Sequence, residues 1–278
     1  MIRWLLLACV LAALLVAAWW VSLKPSNDRD WADEVSRTVR GTVQGSRVTL
    51  QDIRDFDWRS TTDYTARWHD GRYDLDELTS VDMALSYWMG PAIAHTMVSF
   101  GFADGRHVVF SVEIRRERDE AFSILGGFTR QFELAIVAAE ERDILQVRAG
   151  PRGEQVFLYP VLMPAPAMRA LFRSYVARAN RLAHTPRFYN TVTANCTTLI
   201  YDMVRPLVPG LPMDIRLILS GYLPEYLYHH HGLDTSVPLD VLRARSDITR
   251  RAAAPDASAQ AFSRRIRTTE AQPQAGAP

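Results

Sequence analysis

Cys196 stands in TVTANCTTLIYD, residues 191–202, between an asparagine and two threonines and just ahead of an apolar run. The only other cysteine, Cys9, lies in a hydrophobic leader, so Cys196 has no evident disulfide partner. A free cysteine is often merely a small buried hydrophobe. Outside the cytoplasm, however, an unpaired thiol is open to oxidation and is a liability unless buried or used. The reactive form is the thiolate, and a helix N-terminus favours it because unpaired N–H groups and the helix dipole stabilise negative charge there. Asn195 or Thr193 can cap a helix that carries Cys196 in its first turn.

A nucleophilic thiol needs a base. The histidines are His69, His95, His107, His184 and the run His229 to His231, and His95 is the most suggestive because it opens a β-rich run, AHTMVSF. A second such run follows Ala103-Asp104-Gly105. A two-residue Asp-Gly turn would pair His95 with Ile114 and mix polar and apolar groups on both faces. A three-residue Ala-Asp-Gly loop, with Gly105 in the left-handed bulge position, pairs His95 with Glu113. That register puts Val98, Phe100, Phe102, Val108, Phe110 and Val112 on one face and His95, Ser99, Ser111, Glu113 and Arg115 on the other, and we prefer it for this segregation. A carboxylate opposite an imidazole can fix its tautomer and stabilise the imidazolium. Cys196, His95 and Glu113 thus form a candidate triad. From the residues alone, Glu113 can equally pair with Arg115, Arg116 or Arg130.

The elements around these residues set their positions. Residues 4–23, WLLLACVLAALLVAAWWVSL, carry no charge, and about 20 helical residues cross the roughly 30 Å of bilayer hydrocarbon. Arg3 on the short leading side and Trp19-Trp20 at the other end predict one transmembrane anchor with a cytoplasmic N-terminus and the rest exported. A cleavable signal peptide is the rival, but the apolar run is long for one and WWVSLK is a poor cleavage site. We divide the chain into the anchor (1–23), a polar linker with a short helix (24–45), a folded domain (46–248) and a disordered tail (249–278). Within the domain we expect a strand and an aromatic, charged loop at 47–60, a helix at 74–88, and strands at 132–138, 144–148 and 155–163. Leu171, Phe172, Tyr175, Val176, Ala179 and Leu182 mark the apolar face of a helix over 168–183. Further helices are expected at 196–204 and near 215–228.

The net charge of +1, from 32 basic and 31 acidic side chains, gives no indication of nucleic-acid binding. Arg130, Glu133, Arg142 and Asp143 can hold a phosphate or carboxylate head group or can form an ion-pair network, the blander reading. Among these, Arg130 is our substrate-binding candidate. Asn195 can support an oxyanion, although capping is its simpler role, and Tyr189 can be a donor in the site wall or an ordinary packing residue. Adjacent histidines on a helix diverge, so His229 to His231 predict no metal site, and no cofactor is expected.

Taken in order, DFDWRS, IAHTMVSFGFADGRHVVFSVEIRRE, GGFTRQFELAIVAAEERDIL and FYNTVTANCTTLIYD resemble the Lnb N-terminal periplasmic domain family, over about residues 47–205. The resemblance implies an α+β, circularly permuted papain-like (NlpC-type) domain with an antiparallel sheet and a helix carrying the cysteine. It implies His95 as base and Cys196 as nucleophile, with Glu113 at an acidic position on the strand after the histidine. It further implies N-acylation of bacterial lipoproteins at the inner membrane: acyl transfer from a phospholipid to a lipoprotein amino terminus. No multi-span membrane region follows the domain here, which leaves the acceptor open. A cell-wall amidase or peptidase of NlpC type and a non-catalytic anchored scaffold are the alternatives.

Overall fold

A computed structural model describes residues 1–121, 123, 125–255 and 258–268. Helix α1 (Ile2–Ser22) has no buried residue, only Trp20 being partly covered, and is long and apolar enough to cross a membrane. The chain then enters the fold at once. The short α2 (Asp33–Ser36) and strand β1 (Arg40–Gln44) belong to the domain, and Trp31, Ala32, Val35 and Val39 are buried in it. This corrects the expected linker: Trp31, an aromatic in polar company, packs under the Arg115 guanidinium at 4.5 Å.

The strands that follow are β2 (Arg47–Arg54), β3 (Asp57–Trp58), β4 (Tyr64–Thr65), β5 (Trp68–Asp74), β6 (Leu78–Met89), β7 (Ile93–Phe102), β8 (His107–Arg115), β9 (Glu133–Ala139) and β10 (Gln155–Pro160). The main sheet runs β1-β2-β9-β8-β7-β6-β10, with β5 also paired to β2. Its pairs are antiparallel except β2 with β9, so the sheet is mixed, not the antiparallel sheet expected.

Residues 74–88 are not the expected helix. Asp74 caps only a single 3-10 turn, and the chain then extends into β6, between β7 and β10. A strand covered on both faces loses the alternation that identifies strands, and β6 is buried from Val81 to Tyr87. The opposite error occurs at 144–148, which lies in helix α3 (Glu141–Ala149). Acidic residues in its first turn and Arg148 in its last suit the helix dipole.

Helices cover both faces of the sheet. On one side, Val98, Phe100, Phe110 and Ile136 pack against α4 (Ala165–His184) and α5 (Cys196–Val204). Leu171, Phe172, Tyr175, Val176, Ala179 and Leu182 form the buried stripe of α4, as their spacing predicts. Rings dominate this contact: Phe172 meets Phe100 at 5.0 Å and Tyr175 stacks on Phe110 at 4.8 Å. On the other side, Ala84, Met97, Val109 and Val137 pack against α3 and the C-terminal helices. The expected helical stretch near 215–228 resolves into two 3-10 turns and α6 (Leu223–His229), followed by α7 (Leu239–Ser246).

The expected disordered tail also requires correction. Residues 249–268 hold α8 (Thr249–Ala253) and α9 (Ala259–Arg267), and Ala252, Phe262 and Ile266 are buried. Two apolar residues four apart are enough for one face of a short helix when the sheet supplies the other half of the contact. The rest of that tail, residues 269–278, lies outside the described residues.

Candidate active site

Strands β7 and β8 place the histidine and the carboxylate. Phe102 and Arg106 close the hairpin through a Phe102 N–H to Arg106 carbonyl bond of 3.0 Å, leaving a loop of Ala103, Asp104 and Gly105. Gly105 has φ +81°, the left-handed conformation that glycine adopts without penalty. The ladder pairs Met97 with Ser111 and Val98 with Phe110, the register of the three-residue loop, and the apolar face segregates as expected.

His95 Nε2 lies 2.7 Å from Ser111 Oγ and 3.2 Å from Glu113 Oε1, and the Ser111 hydroxyl donates to Glu113 at 2.6 Å. Arg148, from the last turn of α3, donates to the same carboxylate at 3.0 Å. Its other terminal nitrogen lies 3.9 Å from Glu154, which accepts a hydrogen bond from Ser86, the cross-strand neighbour of His95. Of these supporting groups, Arg148 and Ser86 had no sequence signal: Arg148 meets Glu113 only because α3 crosses the sheet there. Ser111 was legible as a same-face neighbour, since two residues along a strand share a face.

The thiol comes from α5. Asn195 caps this helix: its side chain accepts the Thr198 N–H at 2.8 Å, while the Thr198 hydroxyl accepts the Asn195 N–H at 3.0 Å. The Asn195 amide also donates to the Thr191 carbonyl at 2.6 Å, so both its ends are engaged in shaping the turn. Cys196 is therefore the first helical residue. Its N–H and that of Thr197 have no partner among the described residues. The Thr197 hydroxyl meets the Thr96 hydroxyl at 3.2 Å and tethers the helix start to β7.

Burial alone would push the Cys196 thiol up, but the neighbouring His95 outweighs it and holds the thiol below its ordinary range. The Thr96 N–H aids the thiolate. Burial likewise opposes charge on His95, yet the Glu113 charge prevails and raises the imidazole to about 9. Glu113 is buried, which favours its neutral form, and His95 and Arg148 together still hold it well below the carboxylate range. All three shifts favour an ionised chain of carboxylate, imidazolium and thiolate. With Nε2 turned to Ser111 and Glu113, Nδ1 is the ring nitrogen left for the thiol.

His95, Glu113, Arg148, Tyr189, Asn195 and Cys196 line one cavity of about 590 Å³. Tyr189 is half-buried there, and desolvation, then the neighbouring Cys196, raises its phenol well above the ordinary value. Arg130 is not in the cavity wall. Its guanidinium stacks on Trp20 at 5.3 Å and donates to the Trp20 carbonyl at 3.0 Å, so the expected substrate contact is instead a contact with α1. Glu133, Arg142 and Asp143 follow the ion-pair reading: Glu133 lies 3.0 Å from Arg29, Arg142 2.5 Å from Asp55, and Asp143 grips Arg54 through two bonds.

A cluster with metal-ligand chemistry lies elsewhere: Asp82, His107 and Glu141 bring their ligand atoms within 4.8 Å of one another. Arg267 already holds both carboxylates, at 2.5 Å from Asp82 and 2.7 Å from Glu141, supplying the positive charge a cation would bring.

A capped helix start that presents a thiol to a buried histidine–carboxylate pair, at the wall of a cavity in an α+β domain, defines a class of site. The chain belongs to the Lnb N-terminal periplasmic domain family, whose model matches residues 64–221, more than half of its length. No curated protein and no solved structure matches the chain. A periplasmic domain behind one N-terminal apolar helix fits a single-pass membrane protein.

Proposed function

We propose that this chain is a thiol acyl-transfer enzyme of the periplasmic face of the inner membrane, working through an acyl-Cys196 intermediate. The observation that carries the reading is the placement of Cys196 at a capped helix start whose first two N–H groups have no partner among the described residues, beside a histidine whose far nitrogen is held by Ser111 and Glu113. The family resemblance supports a permuted papain-like ancestry, in which the histidine strand precedes the cysteine helix.

In this mechanism His95 takes the thiol proton, and Glu113 holds the resulting imidazolium. The thiolate attacks an ester carbonyl of the donor, forming a C–S bond while the carbonyl π electrons move to oxygen. The free N–H groups of Cys196 and Thr197 stabilise that oxyanion. Collapse expels the alcohol, protonated by His95, and leaves a thioester. An amine acceptor then gives up a proton to His95, attacks the thioester and releases Cys196, leaving an amide. A lipoprotein amino terminus is the acceptor implied by the family, and a lipid ester is the donor suited to an anchored enzyme.

The test is intact mass analysis of the purified full chain after incubation with membrane lipids. An acyl adduct on wild type that is absent from Cys196→Ala supports the reading. Cleavage of cell-wall peptides with no lipid adduct supports an NlpC-type amidase instead. Full cellular function in Cys196→Ser would leave only a scaffold.

A further inference from the structure

Beyond the site itself, the exposed apolar surface of the domain is unevenly distributed. Beyond Met1 and α1, eleven large hydrophobic residues are exposed among the described residues. Six of them either line one cavity or lie within two residues of a residue that lines it. Trp88, Met89 and Ile218 line the cavity themselves while remaining at least 37% exposed. Leu125 and Phe128 flank Gly127, and Val192 follows Thr191, both of which line it. A Thr191 N–H to Gly127 carbonyl bond of 3.0 Å joins the two loops that carry these side chains. Scattered apolar residues on a surface need no explanation, but a concentration around a cavity mouth calls for an occupant.

The membrane helix identifies it. Arg130, on the same loop as Leu125 and Phe128, binds the Trp20 carbonyl and ring, so the end of α1 is fastened to the rim. Trp19 and Trp20 stand where aromatic residues mark the bilayer interface. The tether is also short. Ser26 already bonds Glu133 at 3.1 Å, and the Asn27 amide bonds the carbonyls of Leu182 and Ala183, both at 2.9 Å. Even fully extended, the chain from Trp20 to Ser26 reaches only about 22 Å. A rim tied to the interfacial end of a spanning helix and held on so short a lead meets lipid before any soluble partner.

We propose that the mouth of the Cys196 cavity is seated on the outer surface of the bilayer. Trp88, Leu125, Phe128 and Ile218 enter the head-group and upper acyl region, so that a lipid chain passes into the cavity without crossing water. The inference rests on α1 spanning the membrane and deepens the acyl-transfer reading by making the substrate a membrane-resident lipid ester.

The experiment uses the full chain in phosphatidylcholine vesicles, in a Cys9→Ala, Cys196→Ser background. A polarity-sensitive thiol probe is attached at Phe128→Cys, Ile218→Cys or, as a control, Val43→Cys, which is exposed but does not line the cavity. The expected result is a blue-shifted probe, quenched several-fold more strongly by spin-labelled lipid, at 128 and 218 than at 43. Equal, weak quenching at all three positions overturns the seating. So does shielding at 128 and 218 that ignores the quencher lipid but rises with protein concentration, since the occupant is then a second copy. Because this background lacks the thiol, the outcomes separate. Strong quenching without an acyl adduct on wild type keeps the seating and sinks acyl transfer, while an adduct with equal quenching does the reverse.

Discussion

Two charged clusters lie on the same face of the central strands and are built from similar parts. At one end His95 and Glu113 meet Arg148; at the other, His107 lies with Asp82 and Glu141, which meet Arg267. Between them the face is apolar, with Ala84, Met97 and Val109 packed under α3 and the C-terminal helices. The difference is in closure. Arg267 is tied to both carboxylates, and Ser99 donates to Glu141 at 2.6 Å, so the second cluster is satisfied internally. The first faces a cavity and a thiol at a helix start. A histidine with carboxylates and an arginine is therefore not enough for chemistry. It becomes a candidate site where an element from elsewhere brings a thiol and the packing leaves an opening.

Cys196→Ala breaks this contrast most severely. We expect acyl transfer to fall by at least about 10⁴-fold, because the nucleophile has no substitute; single-turnover assays with a fluorescent lipid ester measure the loss, and a smaller drop would place the chemistry elsewhere. At the closed cluster, Arg267→Met leaves two buried carboxylates without their cation. It should cost roughly 3–5 kcal/mol in urea denaturation while the iodoacetamide rate at Cys196 stays at the wild-type value. A loss of thiol reactivity in that variant would show the clusters to be coupled.

The pH profile of Cys196 alkylation sharpens the comparison further. In wild type the thiolate persists below the ordinary thiol range and is lost as pH falls through the depressed pKa. In His95→Ala the imidazolium is gone and burial remains, so the inflection moves above the ordinary value of about 8.5. An unmoved inflection would remove His95 from the site. Glu113→Gln keeps the shape but not the charge, and we expect about a 10- to 100-fold slower acylation with a downward shift of the imidazole. Asn195→Ala deletes the cap and is the mildest change, about 1 kcal/mol of stability.

The legible parts of the fold were those in which a local pattern had one physical solution. The α4 stripe appears as written, because an apolar face with a 3.6 period has only a helix to serve. The α5 start is equally local: its cap and first turn lie within four residues. The β7–β8 register followed from one glycine and the sorting of side chains. What failed depended on distant cover. Residues 74–88 read as a helix because a strand buried on both faces shows no alternation, and 249–278 read as a disordered tail because Phe262 and Ile266 are a face only against the sheet.

By itself, then, the sequence determined a lone thiol at a capped helix start, a histidine paired through a hairpin with a glutamate, and an apolar leader able to span a bilayer. Each is set by spacing along the chain. The tertiary structure alone decided that α5 sets the thiol in the same cavity wall as His95, that Arg148 from α3 braces Glu113, and that Arg130 contacts α1 and does not line the cavity. These contacts join residues dozens of positions apart, and only packing against the sheet brings such groups within bonding distance.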